Sequence, residues 1–138
     1  MRWTEGEPTY GDMIRVAVKF YHHYGIYVDE GQVVQFGYPD NSGIKSEDVA
    51  VLTSDLVTFA HGGCVEVGAP SMKELFTKRS ANETVKYALS RLGQGGYDIL
   101  HNNCEHFAME CMFGEPRSSL VDGVRQEVRR KLNKVREQ

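Results

Sequence analysis

The spacing of apolar residues changes once along this sequence, near Ser71, and that change constrains the fold more than any other feature. Ahead of it, 13–19, 24–29 and 32–37 are short runs rich in Val, Ile and Tyr, and Asp29-Glu30-Gly31 between the last two is a hairpin turn signal. Pro39-Asp40-Asn41-Ser42-Gly43 reads as a loop, and 49–67 alternates enough to supply one or two more strands, broken at His61-Gly62-Gly63. Beyond Ser71 the period is helical. A short helix is expected over 71–77, and Ser80-Ala81-Asn82-Glu83 is a capping-box signature with Val85, Ala88, Leu89 and Leu92 on one face behind it, stopped by Gly93. A third helix is expected from Asn103, carrying Cys104, Phe107, Ala108, Cys111 and Met112 on one stripe and ending at Gly114 and Pro116. Strands first and helices after predict an α+β domain, an antiparallel sheet from the N-terminal half packed by helices from the C-terminal half.

The chain divides into a domain over 1–119 and a tail over 120–138, where Val121, Val124, Val128, Leu132 and Val135 recur at helical spacing among Arg and Lys residues. That pattern is a basic amphipathic helix, whose cationic face offers a peripheral contact with an anionic membrane surface. A length of 138 residues suits one domain with one core. With 25% charged residues and a formal net charge of −3, nothing favours nucleic acid as a partner. The first dozen residues lack the basic start and apolar run of a signal peptide, which makes a cytoplasmic location the expectation. No stretch reaches the roughly 18–20 uninterrupted apolar residues of a membrane-spanning helix.

Cys64, Cys104 and Cys111 make an odd set without paired spacing, so each is judged as a thiol rather than as half of a disulfide. A cysteine reacts as thiolate, and a helix N-terminus, with its unpaired N–H groups and dipole, favours that form. Cys104 occupies such a place, because Asn102 and Asn103 are good caps for the helix that follows. Cys111, two turns on, reads as core. Cys64 beside Gly62-Gly63 has no activating neighbour and reads as buried, with His61 in a loop. Cys104, His106, His61 and Cys64 do not form a zinc set, since Cys104 and His106 are only two apart. A cysteine nucleophile needs a base from elsewhere in the chain, and His22 and His23 are the candidates. On a strand they face opposite ways, and alternation alone leaves open which one faces inward. A hairpin around Asp29-Glu30-Gly31 brings the region of His23 opposite 35–37, so the Gln35 carbonyl can accept the imidazole N–H and hold one tautomer.

The string Asn103-Cys104-Glu105-His106-Phe107 resembles the signature of the lecithin:retinol acyltransferase family, a circularly permuted relative of the NlpC-type papain-like fold. Tyr10-Gly11-Asp12-Met13-Ile14 is similar to the family's opening strand, and 23–34 to its histidine hairpin, so the resemblance spans Gly11 to about Asp122. It implies that 1–119 is a catalytic domain, with Cys104 as the nucleophile that carries the acyl group as a thioester and His23 as its general base. Twelve residues after the base the family usually places a second histidine, and here that position is Gln35. Glu105, His106 and Phe107 are expected to act in position only, and Tyr97 and His101 to line the approach to the thiol.

The family includes phospholipid acyltransferases and phospholipases, so the resemblance implies an acyl-ester or lipid substrate and calls for no cofactor. Two other readings stand beside it. One is a permuted papain-like peptidase or amidase using the same pair. The other is a binding domain in which Gln35 marks a decayed site.

Overall fold

The hairpin around Asp29-Glu30-Gly31 sits in the body of the sheet. In the computed structural model, which describes residues 1–39, 45–98, 103–114 and 129–132, β3 (His22–Asp29) and β4 (Gln32–Phe36) pair antiparallel with Gly25 opposite Gln35. β2 (Met13–Ala17) lies on the other side of β3, with Val16 opposite His23. β5 (Val51–Ser54) extends the sheet beyond β4, and β6 (Val65–Ala69) pairs with β2. β1 (Arg2–Glu5) closes the far edge against β6. The order is β1-β6-β2-β3-β4-β5 and every pairing is antiparallel, which together with the helices is the α+β fold expected.

Both faces of the central strands are covered, so β3 alternates between two apolar environments instead of between core and water. Tyr24 and Ile26 join Met13, Val34 and Phe36 on one face, beneath α3 (Ala81–Ser90) and α4 (Cys104–Phe113). Tyr27 joins Ile14, Val16 and Val33 on the other, beneath Phe59 of α1 (Leu56–Ala60). Gly25 permits that second contact, since a Cβ there would lie 2.8 Å from Phe59 Cε2. Gly11 has φ +85° and comes so close to the start of α3 that a Cβ would lie 2.6 Å from Ala81 Cβ.

The helices begin where their side chains can satisfy free backbone N–H groups. Ser71 caps α2 (Met72–Leu75) in a reciprocal box with Glu74. Ser80 caps α3 by accepting the Glu83 N–H, while its hydroxyl donates to the Glu83 carboxylate, so the expected box is only half made. Asn103 caps α4, and Gly114 ends it with φ +79°.

Several local expectations are corrected. Residues 56–60 form α1 rather than strand, because the Asp55 carboxylate accepts the Thr58 N–H and nucleates a turn. β1 arises in a polar segment through pairing with a strand some sixty residues away. Leu92 leaves the α3 stripe and is exposed, because the helix already ends at Ser90. Cys64 is exposed, not buried, since Gly62-Gly63 turn the chain just ahead of β6. The basic tail helix falls mostly outside the described residues, of which 129–132 are helical and exposed. Among the described residues no helix is long and apolar enough to cross a membrane.

Candidate active site

α4 starts at Cys104 because Asn103 cannot continue the loop without spending its side chain on the helix. Its Oδ1 accepts the His106 N–H at 2.9 Å, and its own N–H donates to His106 Nδ1 at 3.2 Å. The reciprocal pair gives His106 the positional part expected of it, with Nδ1 as an acceptor. Glu105, in the first turn, and Phe107 are both buried, and Phe107 packs edge-on to Phe36. Cys111 lies fully buried on the same stripe, as expected of a core thiol.

Packing α4 on β3 carries the Cys104 thiol onto the strand's backbone. Its Sγ lies 3.8 Å from the carbonyl oxygen of His22, the residue that leads into His23, and the thiol donates there. Burial pushes this thiol up to about 11, overriding the backbone N–H groups of Tyr24, Glu105 and Cys104 itself, which favour the thiolate. The expectation that the helix N-terminus lowers the thiol's pKa is therefore corrected. A terminal dipole contributes on the order of 1 kcal/mol, and desolvation of a buried anion costs more.

The imidazole of His23, 2% exposed, leans on the Phe59 ring at a centroid distance of 5.3 Å. Its Nε2 is 2.7 Å from Gln35 Oε1. These two residues are diagonal neighbours across β3 and β4, and both face the α1 side. Gln35 Nε2 donates to Ser54 Oγ at 2.6 Å, and that hydroxyl donates to the Asp55 carbonyl. The chain of donors fixes the amide orientation: Gln35 presents oxygen to the ring, so Nε2 carries the proton. Burial lowers His23 to about 4, against hydrogen bonds to Gln35 and the Gly37 backbone that favour the charged ring. At neutral pH the thiol and the imidazole are therefore both uncharged.

That depression makes folding stability acid-sensitive. The unfolded His23 takes up a proton near pH 6.5, whereas the folded ring resists until about 4, so the unfolded state binds more protons in between. Stability is expected to fall by up to about 3 kcal/mol as pH drops through that window, read as urea midpoints at pH 7 and 4.5. His23→Asn should flatten the dependence.

His23 and Gln35 are thus brought together directly on the α1 face of the sheet, whereas Cys104 meets the β3 backbone from the α4 face. No hydrogen bond between Cys104 and the His23 ring occurs among the described residues. His22 remains partly exposed, its Nε2 3.8 Å from Glu66 Oε1, while Arg15 holds that same carboxylate at 2.9 Å. Tyr97 packs edge-on to Phe36 at 5.2 Å against the cluster that holds Cys104, and burial raises its phenol well above the usual range. That places it beside the thiol, whereas His101 lies outside the described residues. Two site residues escaped sequence reasoning: Ser54, which anchors Gln35, and Phe59, which walls His23. Their positions depend on the pairing of β5 and on α1, for which 49–67 carried only an ambiguous alternation. Among the described residues no cluster of three metal-ligating side chains occurs.

An antiparallel sheet holding an imidazole on an amide, with a cysteine at the first position of the helix that crosses it, is an α+β arrangement that buries one thiol and one imidazole. The sequence profile of the lecithin retinol acyltransferase family matches residues 6–117, and the chain belongs to that family. It is 27% identical over 131 residues to human phospholipase A and acyltransferase 4, covering 88% of this chain and 80% of that protein. It is 30% identical over 124 residues to mouse phospholipase A and acyltransferase 3, covering 83% and 76%. Rat lecithin retinol acyltransferase is 25% identical over 142 residues, covering 86% of this chain and 60% of its own length.

Proposed function

We propose that the chain is a thiol-dependent acyltransferase or acyl hydrolase acting on acyl esters, phospholipids among them. Cys104 is the nucleophile, His23 the general base and Gln35 the residue that orients the base. The 2.7 Å contact between His23 Nε2 and Gln35 Oε1 carries the reading, because it holds a buried imidazole in one tautomer on β3, the strand whose backbone the thiol touches from the other face. The names of the relatives, phospholipases and acyltransferases, support the substrate class.

In the first step the thiol leaves the His22 carbonyl, Cys104 Sγ bonds to the ester carbonyl carbon, and the thiol proton passes to the His23 imidazole once that ring has turned from the α1 face of β3 to the α4 face that the thiol occupies. The Cys104 N–H, which as the first of the helix has no intrahelical acceptor, stabilises the oxyanion. The imidazolium then returns its proton to the departing alkoxide as the C–O bond breaks, leaving a thioester. Water or an amine resolves it by the same proton path. Gln35 holds the ring but adds no negative charge, so it orients without stabilising the imidazolium as a carboxylate would.

The test is intact-protein mass after incubation with a short-chain activated ester. One acyl group removable by hydroxylamine, mapped to the peptide carrying Cys104, is the expected result. Acylation confined to the exposed Cys64 would overturn the reading and leave a binding domain. Gln35→Ala is expected to slow acylation and to destabilise the fold by about 1–3 kcal/mol, since it strips buried partners from both His23 and Ser54.

A further inference from the structure

At the end of the sheet where β3 begins, exposed aromatic side chains gather next to the strand backbone that the thiol touches. The turn joining β2 to β3 is closed by the Val18 N–H on the Tyr21 carbonyl at 2.8 Å and carries Phe20 at its tip, 87% exposed. Lys19 Nζ lies 5.4 Å from the centroid of the Phe20 ring. Tyr21, 37% exposed, donates its hydroxyl to the Pro39 carbonyl at 3.4 Å, which ties the turn to the strand end where Tyr38 is 42% exposed. The residue after Tyr21 is His22, whose carbonyl meets the Cys104 thiol, and Tyr97 packs against the cluster that holds Cys104.

We infer that the Lys19-Phe20-Tyr21 turn and Tyr38 form an edge that seats on a phospholipid bilayer and presents Cys104 to the lipids within it, an inference that rests on the acyl-ester reading above. An exposed phenylalanine at a turn tip gains by leaving water. Tyrosines, apolar on the ring and polar at the hydroxyl, are suited to the headgroup boundary. Lys19 can lay its stem along the apolar side while its ammonium meets anionic headgroups. A lipid lifted from a bilayer at this edge has its acyl ester next to the thiol.

A second exposed apolar patch, Met72, Leu75 and Phe76 on α2, lies at the wrong end. Arg79, just after it, donates its N–H to the Met112 carbonyl at the C-terminal end of α4, about 12 Å along that helix from Cys104. A bilayer seated there would hold the thiol away from lipid. The two patches therefore make opposite predictions.

The experiment measures sedimentation of the full chain with vesicles of phosphatidylcholine and phosphatidylserine, alongside acylation by the soluble short-chain ester. Wild type and the Met72→Ser/Phe76→Ser variant are expected to partition alike. Phe20→Ser/Tyr38→Ser should bind vesicles at least about tenfold more weakly and yet acylate at the wild-type rate with the soluble ester. Equal partition of the edge variant, loss in the α2 variant instead, or no partition of wild type overturns the edge. Absent acylation of wild type by the soluble ester strikes the catalytic reading separately, since partition does not depend on the thiol.

Discussion

Cys104→Ser is expected to remove the hydroxylamine-sensitive acyl adduct altogether, a loss of about 10⁴-fold or more in acylation rate. Serine changes one atom and keeps the shape, so packing against Tyr24 and Phe107 persists, and its hydroxyl retains the His22 carbonyl as an acceptor. What changes is the acidity. A thiol at about 11 is within reach of a general base acting during attack, while an aliphatic alcohol lies several units higher, beyond a ring whose own value is about 4. Intact mass reads the adduct, and a thermal melt within a few degrees of wild type shows that the fold survives. Adduct formation at the wild-type rate in this variant would move the nucleophile elsewhere, with Cys64 first in line.

His23→Ala is expected to slow acylation by about 10²-fold, the lower end of what general bases contribute, because a ring depressed to about 4 is a weak base. Alanine also leaves a cavity under Phe59 and strands Gln35 Oε1, so lost activity alone does not separate chemistry from packing. The pH dependence of Cys104 alkylation does. With the thiol raised and the imidazole lowered, no thiolate–imidazolium pair exists at rest, and the wild-type rate should climb about tenfold per pH unit from 6 to 9 without a shoulder. A plateau between pH 5 and 7 would reveal a preformed ion pair and reverse the assignment of neutral partners. His23→Asn, closer in volume, should keep the fold while losing the base.

Much of this site was legible because it depends on short-range rules. Asn103 ahead of Cys104 marks a helix start whatever surrounds it, since the cap answers to backbone N–H groups three residues away. Gln35 reaches His23 because a tight turn at Asp29-Glu30-Gly31 leaves few registers, and in the observed one the two are diagonal neighbours. Cys111 as core followed from period alone. α1 was missed because one Asp55 cap outweighed an alternating pattern, and β1 because its partner is remote in sequence.

The α+β class, the hairpin that carries the imidazole, the cap that places the thiol, and the family are all written in residue identities. Long-range packing alone settles that Cys64 is exposed, that Ser54 anchors Gln35 while Phe59 walls the His23 ring, and that thiol and imidazole rest uncharged. Capping and turn chemistry act over a few residues and are written in their identities. Desolvation depends on which distant segments cover a group, and the covering of both faces of β3 by α1 on one side and α4 on the other sets the charge state of the pair.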